Sequence, residues 1–146
     1  MLLRPFHLAL TALCCAASSA WALTTVDIAY LEETRPPVAT LANLEPPPAD
    51  LGRAGVELGI RDNDSTGKFL QQRFQLHSIQ LPVGAPTSEW LARLNKTKAR
   101  LVVANLPAAT LETLLKQPGQ EGVLWFNAGA ADDALRQSRC RPNLLH

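Results

Sequence analysis

Four short runs rich in apolar and β-branched residues, each followed by enough chain for a helix, constrain this sequence more than anything else in it. Thr24–Leu31, Arg73–Leu81, Arg100–Asn105 and Gly122–Asn127 read as strands. The first is the pattern of a strand covered on both faces. In the second, Phe74 and Leu76 fall on one face and Ile79 and Leu81 on the other. Between the first two, Asp50–Asp62 predicts a helix, with Leu51, Ala54, Gly55, Leu58 and Gly59 on one face at i, i+3, i+4, i+7 and i+8. Asn63–Gly67 predicts its stop, with Gly67 as a left-handed cap. Thr87 fits the cap of a second helix, with Glu89 in its first turn and Trp90, Leu91 and Leu94 facing inward. Pro107 fits the first position of a third, striped by Ala108, Leu111, Leu114 and Leu115 and ended by Pro118–Gly119. Ala131–Ser138 reads as a short fourth helix, and Asn143–His146 opens another element. This alternation predicts an α/β fold, a parallel sheet with helices on both faces.

Ligands in such sheets sit beyond the carboxyl ends of the strands. That places the candidate site at Tyr30, Asn105, Ala108, Asn127 and Gly129. Asn105 and Asn127 are the strongest of these, since an amide both donates and accepts hydrogen bonds. The competing reading is that each caps the helix that follows it. Between the first strand and the first helix, Glu32–Ala49 holds Pro36, Pro37, Pro46, Pro47 and Pro48. Five prolines exclude a helix or a central strand there, leaving a functional loop or a polyproline spacer.

Met1–Ala22 has the layout of a secretory leader. Arg4 is the positive residue, Leu8–Ala17 is an apolar run too short to span a bilayer, and Ala20–Trp21–Ala22 is an A-x-A cleavage signal. Cleavage after Ala22 would remove Arg4, Cys14 and Cys15, leaving a chain with balanced charge and Cys140 as its one thiol. Such a chain has no internal disulfide, so its core must hold it together. The whole sequence has 14 basic and 13 acidic residues, which argues against a nucleic-acid partner. Its apolar content of 47% is ample for a core, and no run is long enough for stable membrane insertion.

Motifs for catalysis and metals fail on inspection. Asp62, Asp64, Thr66 and Gly67 imitate the start of a calcium loop, but Arg73 stands where a bidentate Glu belongs. Gly67–Lys68 lacks the Ser or Thr of a phosphate loop, since Phe69 follows. His77, His146 and Cys140 have no zinc-ligand spacing, and no nucleophile elbow is present. The acidic pairs Glu32–Glu33 and Asp132–Asp133 read as surface charge. The expectation is a protein without catalytic residues, metal or cofactor.

Asp27–Glu32, Pro47–Ile60, Asp62–Phe69 and Cys140–His146 together resemble the periplasmic substrate-binding proteins of ABC transporters, of the branched-chain amino-acid (type I) kind. The subgroup resembled is the one associated with PQQ-dependent alcohol dehydrogenase systems. The resemblance runs over Leu23–His146. It implies a Rossmann-like lobe in the periplasm, the first of two that close around a small molecule, and a chain that would continue past His146 into a second lobe. It also implies partners: a small-molecule ligand, either an amino acid or an alcohol-derived metabolite, and the membrane subunits of the transporter. The alternative role is a sensory or accessory protein of alcohol oxidation. In many relatives the loop after the third strand supplies small hydroxyl residues to an amino acid. Here that loop, Asn105–Thr110, has no Ser.

Protein recovered from an exporting cell should begin at Leu23. Amino-terminal sequencing checks this, and an intact Met1 on exported material refutes the leader.

Overall fold

The computed structural model describes residues 22–34 and 48–146. The leader through Trp21 and most of the proline-rich stretch, 35–47, lie outside the described residues. Five parallel strands form one sheet: β1 (Thr24–Thr34), β2 (Gln72–Pro82), β3 (Leu101–Asn105), β4 (Leu124–Asn127) and β5 (Leu144–Leu145). Their order across the sheet is β2-β1-β3-β4-β5. Helices α1 (Leu51–Gly67), α2 (Thr87–Thr97) and α3 (Ala108–Leu115) supply the first three connections. This is the expected α/β fold, consistent with a Rossmann-like lobe.

The alternation of side chains along β1 sorts the two faces. Ala29 and Leu31 point into the main core with Ile79, Leu81, Val102, Ala104 and Trp125. Trp90 and Leu94 of α2 and Leu111, Leu114 and Leu115 of α3 close that core, as their spacing predicts. Tyr30, between Ala29 and Leu31, points to the other face and is also buried, so the middle of β1 is covered on both sides. α1 lies on Tyr30's face, mainly along β2, with Gly52 close to the Tyr30 hydroxyl. Farther along the sheet that face opens, and Phe126 and Leu145 are 36% and 46% exposed.

Several boundaries differ from the sequence reading, each for a local reason. β1 runs on through Glu32–Thr34, residues the sequence reading assigned to the proline-rich loop. α1 continues through Asn63–Gly67 instead of stopping. Asn63 Nδ2 donates to Gly59 O at 2.8 Å and Ser65 Oγ to Asp62 O at 2.6 Å, so these polar side chains bond back along the helix. Gly67 is helical, and Gln71 takes the left-handed conformation at φ 54°.

α1 is also rotated from its expected setting. Leu51 and Leu58 are exposed, while Gly52, Val56 and Ile60, four residues apart, are the partly buried line. Both lines are apolar, so the sequence pattern alone did not select between them. The caps shift by one residue: Pro86 and Pro107 occupy the N-cap positions, so Thr87 and Ala108 begin their helices. The helix expected over Ala131–Ser138 is a single 3-10 turn, Asp133–Leu135, which plugs Leu135 into the core. No helix among the described residues is long and apolar enough to cross a membrane.

Adjacent residues of β4 should therefore respond very differently to truncation. Trp125→Ala opens a hole in the closed face and should cost about 3–5 kcal/mol, whereas Phe126→Ala should cost well under about 2 kcal/mol. Denaturant unfolding measures both, and equal losses would show that the second face is closed as well.

Candidate functional site

A polar row crosses the sheet where β1 and β3 part. Gln80, Glu32 and Asn105 stand in register on β2, β1 and β3. Gln80 Nε2 donates to Glu32 Oε2 at 2.8 Å, and Asn105 Nδ2 donates to Glu32 Oε1 at 3.2 Å. Asn105 Nδ2 also donates to the Tyr30 hydroxyl at 3.0 Å. A carboxylate only accepts, so Glu32 takes both amides as donors and fixes their orientation. On the opposite face of β1, Thr110 Oγ1 of α3 donates to Glu33 Oε1 at 2.6 Å.

Two glycines make room for this arrangement. A Cβ on Gly52, in the first turn of α1, would overlap the Tyr30 hydroxyl and lie 2.7 Å from Asn105 Nδ2. A Cβ on Gly129, in the loop after β4, would lie 2.8 Å from Asn105 Oδ1 and 2.7 Å from the Leu106 amide nitrogen. The turn of α1 and the β4 loop therefore close on Asn105 from two sides. The close approach at Gly52 also selects the side of α1 that faces the sheet.

Beside the row, among the described residues, lies a groove of about 440 Å³, lined by Glu32, Glu33, Thr34, Ala49, Asp50, Arg53 and Gln80. The Glu32 and Asp50 carboxylates and the Arg53 guanidinium are its charged groups on this face of β1. Arg53 lies 3.9 Å from Asp50 and 3.6 Å from Glu57, both loose, solvent-facing pairs of little energetic weight. The groove presents acceptors above all, a surface suited to hydroxyl or ammonium donors.

Of the five residues expected at the site, Tyr30, Asn105 and Gly129 come together. Tyr30 stands four residues before the end of β1, contrary to its expected place at the strand terminus, and it is 1% exposed. It supports the row from beneath. Ala108 starts α3 and packs on the core. Asn127 belongs to its own loop: its Oδ1 accepts the amides of Gly129 at 3.2 Å and Ala130 at 2.8 Å, and its Nδ2 donates to Ala130 O at 2.6 Å. Neither asparagine caps a helix: Asn127 closes a turn in its own loop, and Asn105 bonds across the sheet. Glu32 and Glu33, read from sequence as surface charge, are hydrogen-bonded members of the site. Gln80, Arg53, Thr110 and Gly52 were missed as well. Register was the signal for Gln80, and it requires knowing that β2 pairs with β1. Among the described residues no cluster of His, Cys, Asp and Glu could hold a metal ion.

Burial pushes the Tyr30 phenol above its ordinary pKa of 10.0. The hydrogen bond from Asn105 works in the opposite direction, while the neighbouring negative charge of Glu32 raises it further. No protein-family model matches this chain, and no curated protein matches it.

Tyr30 is the one tyrosine in the sequence, so phenolate absorbance reports it alone. The folded chain should titrate above the 10.0 of a free phenol. Its folded pKa lies above the unfolded one, so the linked stability is fully present below about pH 10 and is lost as pH rises through the folded value. Tyr30→Phe should flatten that alkaline decline. A Tyr30 titration at or below the free-phenol value would contradict the buried row.

Proposed function

We propose that this chain is a solute-binding lobe, the first lobe of a type I periplasmic binding protein that serves an ABC uptake system and is exported by its leader. The observation that supports this most is the groove at the carboxyl ends of β1 and β2, edged by the polar row where the sheet's strand order reverses. Parallel α/β sheets bind ligands at such a place. The resemblance of Asp27–Glu32 and Pro47–Ile60 points the same way. On this reading the protein binds and does no chemistry.

The groove narrows the class of solute. Glu32 and Asp50 accept hydrogen bonds from hydroxyl or ammonium groups, and Arg53 meets a carboxylate or carbonyl. A short hydroxy acid or an amino acid offers both. One open wall leaves the solute half in water, and a two-lobed protein gains its affinity by closing the second wall.

The 146-residue chain should therefore bind short alcohols, their acids and hydrophobic amino acids with dissociation constants of about millimolar or weaker. Amide-resolved NMR titration should place the shifts at Glu32, Gln80 and Asn105, and Glu32→Gln should reduce them. Micromolar affinity would show that one lobe holds a complete site. Absence of shifts at these residues up to the solubility limit would overturn the reading.

A further inference from the structure

The two edges of the sheet are unlike. β5 is two residues long, whereas β2 runs for 11 residues and, among the described residues, pairs with a strand on one side alone. Thr24 N donates to Gln71 O at 2.9 Å. In the parallel ladder the odd-numbered residues of β2 therefore turn their backbone groups to β1, and the even-numbered ones turn theirs outward. Two outward positions are already answered. The Phe74 N–H donates to Asp64 Oδ1, in the last turn of α1, at 2.7 Å. Pro82 has no N–H, and its carbonyl accepts from Ala85 N at 3.0 Å. Between them Leu76, Ser78 and Gln80 each present an N–H and a C=O with no partner among the described residues. Exposed edges are ordinarily guarded by charged side chains, bulges or short strands. Phe74–Pro82 contains no Lys, Arg, Asp or Glu. Ser78 is exposed although it shares a face with its register partner Tyr30, so α1 does not roof the middle of this edge.

We propose that β2 is a docking edge for the β2 of a second copy of this chain, paired antiparallel about a two-fold axis at Ser78. The positions without a free N–H choose the partner, because Phe74 and Pro82 stand equally far from Ser78 on either side. In the pairing centred there, Leu76 meets the partner's Gln80, Ser78 meets the partner's Ser78, and Gln80 meets the partner's Leu76. Every open N–H then finds an open C=O. At both ends Phe74 faces the partner's Pro82, neither has a donor to spare, and the pairing stops. A shift of two residues either way sets an open residue against Phe74 or Pro82 and loses hydrogen bonds. An unrelated extended peptide has no reason to match both limits, whereas a copy of the same edge matches them by symmetry. Gln80 contributes only its backbone, and its side chain stays on Glu32, so the pairing stands or falls independently of the function proposed above.

Sedimentation of the whole chain should show a dimer forming between about 10 and 500 μM, the range of a small, transient interface. Over the same range amide hydrogen exchange should slow at Leu76, Ser78 and Gln80 and stay unchanged at Phe74. Ser78→Lys and Ser78→Glu each set like charges opposite one another and should weaken the dimer about fivefold, while an equal mixture of the two variants should associate at least as well as the unaltered protein. Ser78→Pro removes the central outward N–H, which β1 does not use, and should weaken the dimer about tenfold. A monomer throughout that range overturns the proposal. So does a dimer whose slowed amides lie elsewhere, as on α1, or a Lys–Glu mixture no tighter than either variant alone. Protection of the three amides that is independent of concentration also overturns it, since a segment of the same chain then covers the edge. The Lys and Glu variants keep every hydrogen bond to β1, so their result decides the matter even where Ser78→Pro fails to fold.

Discussion

A parallel sheet forces the chain to return to the same end before laying each new strand, and crossovers of one hand tie the direction of travel to the face that is covered. In this chain the direction changes once. β2 is laid on one side of β1, and β3 and everything after it on the other. α1 must then occupy one face, and α2 and α3 the other. The connections leaving β1 and β3 diverge to opposite faces, and the end of the sheet opens between them. Glu32 and Asn105 border that opening because they are register partners on the two diverging strands. Topology therefore decides where a site lies. The residues at the last positions of the strands decide its chemistry.

The two faces contribute in different ways. On the face closed by α2 and α3, Trp90, Leu94, Leu111, Leu114 and Trp125 are all buried together, and each large apolar side chain contributes about 1.5–3 kcal/mol. On the other face the residues from Tyr30 to Gln80 are joined by hydrogen bonds, with a net contribution of about 0.5–1.5 kcal/mol between neutral groups and about 1.5–3 kcal/mol to the Glu32 carboxylate. The polar row also sets orientation, because losing any one partner strands another in a half-buried place. Gly52 belongs to this logic: by admitting α1 close to Tyr30 and Asn105 it fixes which line of the helix faces inward, and it leaves Leu51 and Leu58 outside.

Most of the fold was legible in the sequence, and the exceptions share a cause. β3, β4, α2 and α3 could be read because their buried residues follow one period without competition. α1 could not be set in rotation, since Leu51–Leu58 and Gly52–Val56–Ile60 are both apolar lines and the choice rests on a contact with Asn105, 53 positions away. Its length was misjudged because Asn63 and Ser65 are turn formers in most settings, and here their side chains bond within the helix. The site divides in the same way. Asn105 could be found from its place at the end of an apolar strand. Glu32 and Gln80 acquire meaning only once β1 and β2 are known to pair in register, and the spacing along the chain carries no trace of that.

The contrast between Asn105 and Asn127 shows how one residue beyond a strand can decide a role. Both asparagines end apolar strands, and both are free to fold back on the backbone two residues later, the habit of this side chain. Behind Asn127 the second residue is Gly129, whose N–H turns toward Oδ1, with Ala130 adding another. The amide is engaged by its own loop and by His146 Nδ1, 3.1 Å from its Nδ2. Behind Asn105 the second residue is Pro107, which has no N–H to give. That side chain turns to the sheet instead and meets Tyr30 and Glu32 across the strand boundary. A proline in the loop after β3 thus does two things. It caps α3, and it releases Asn105 from local capping to become the link between two strands at the point where the sheet opens.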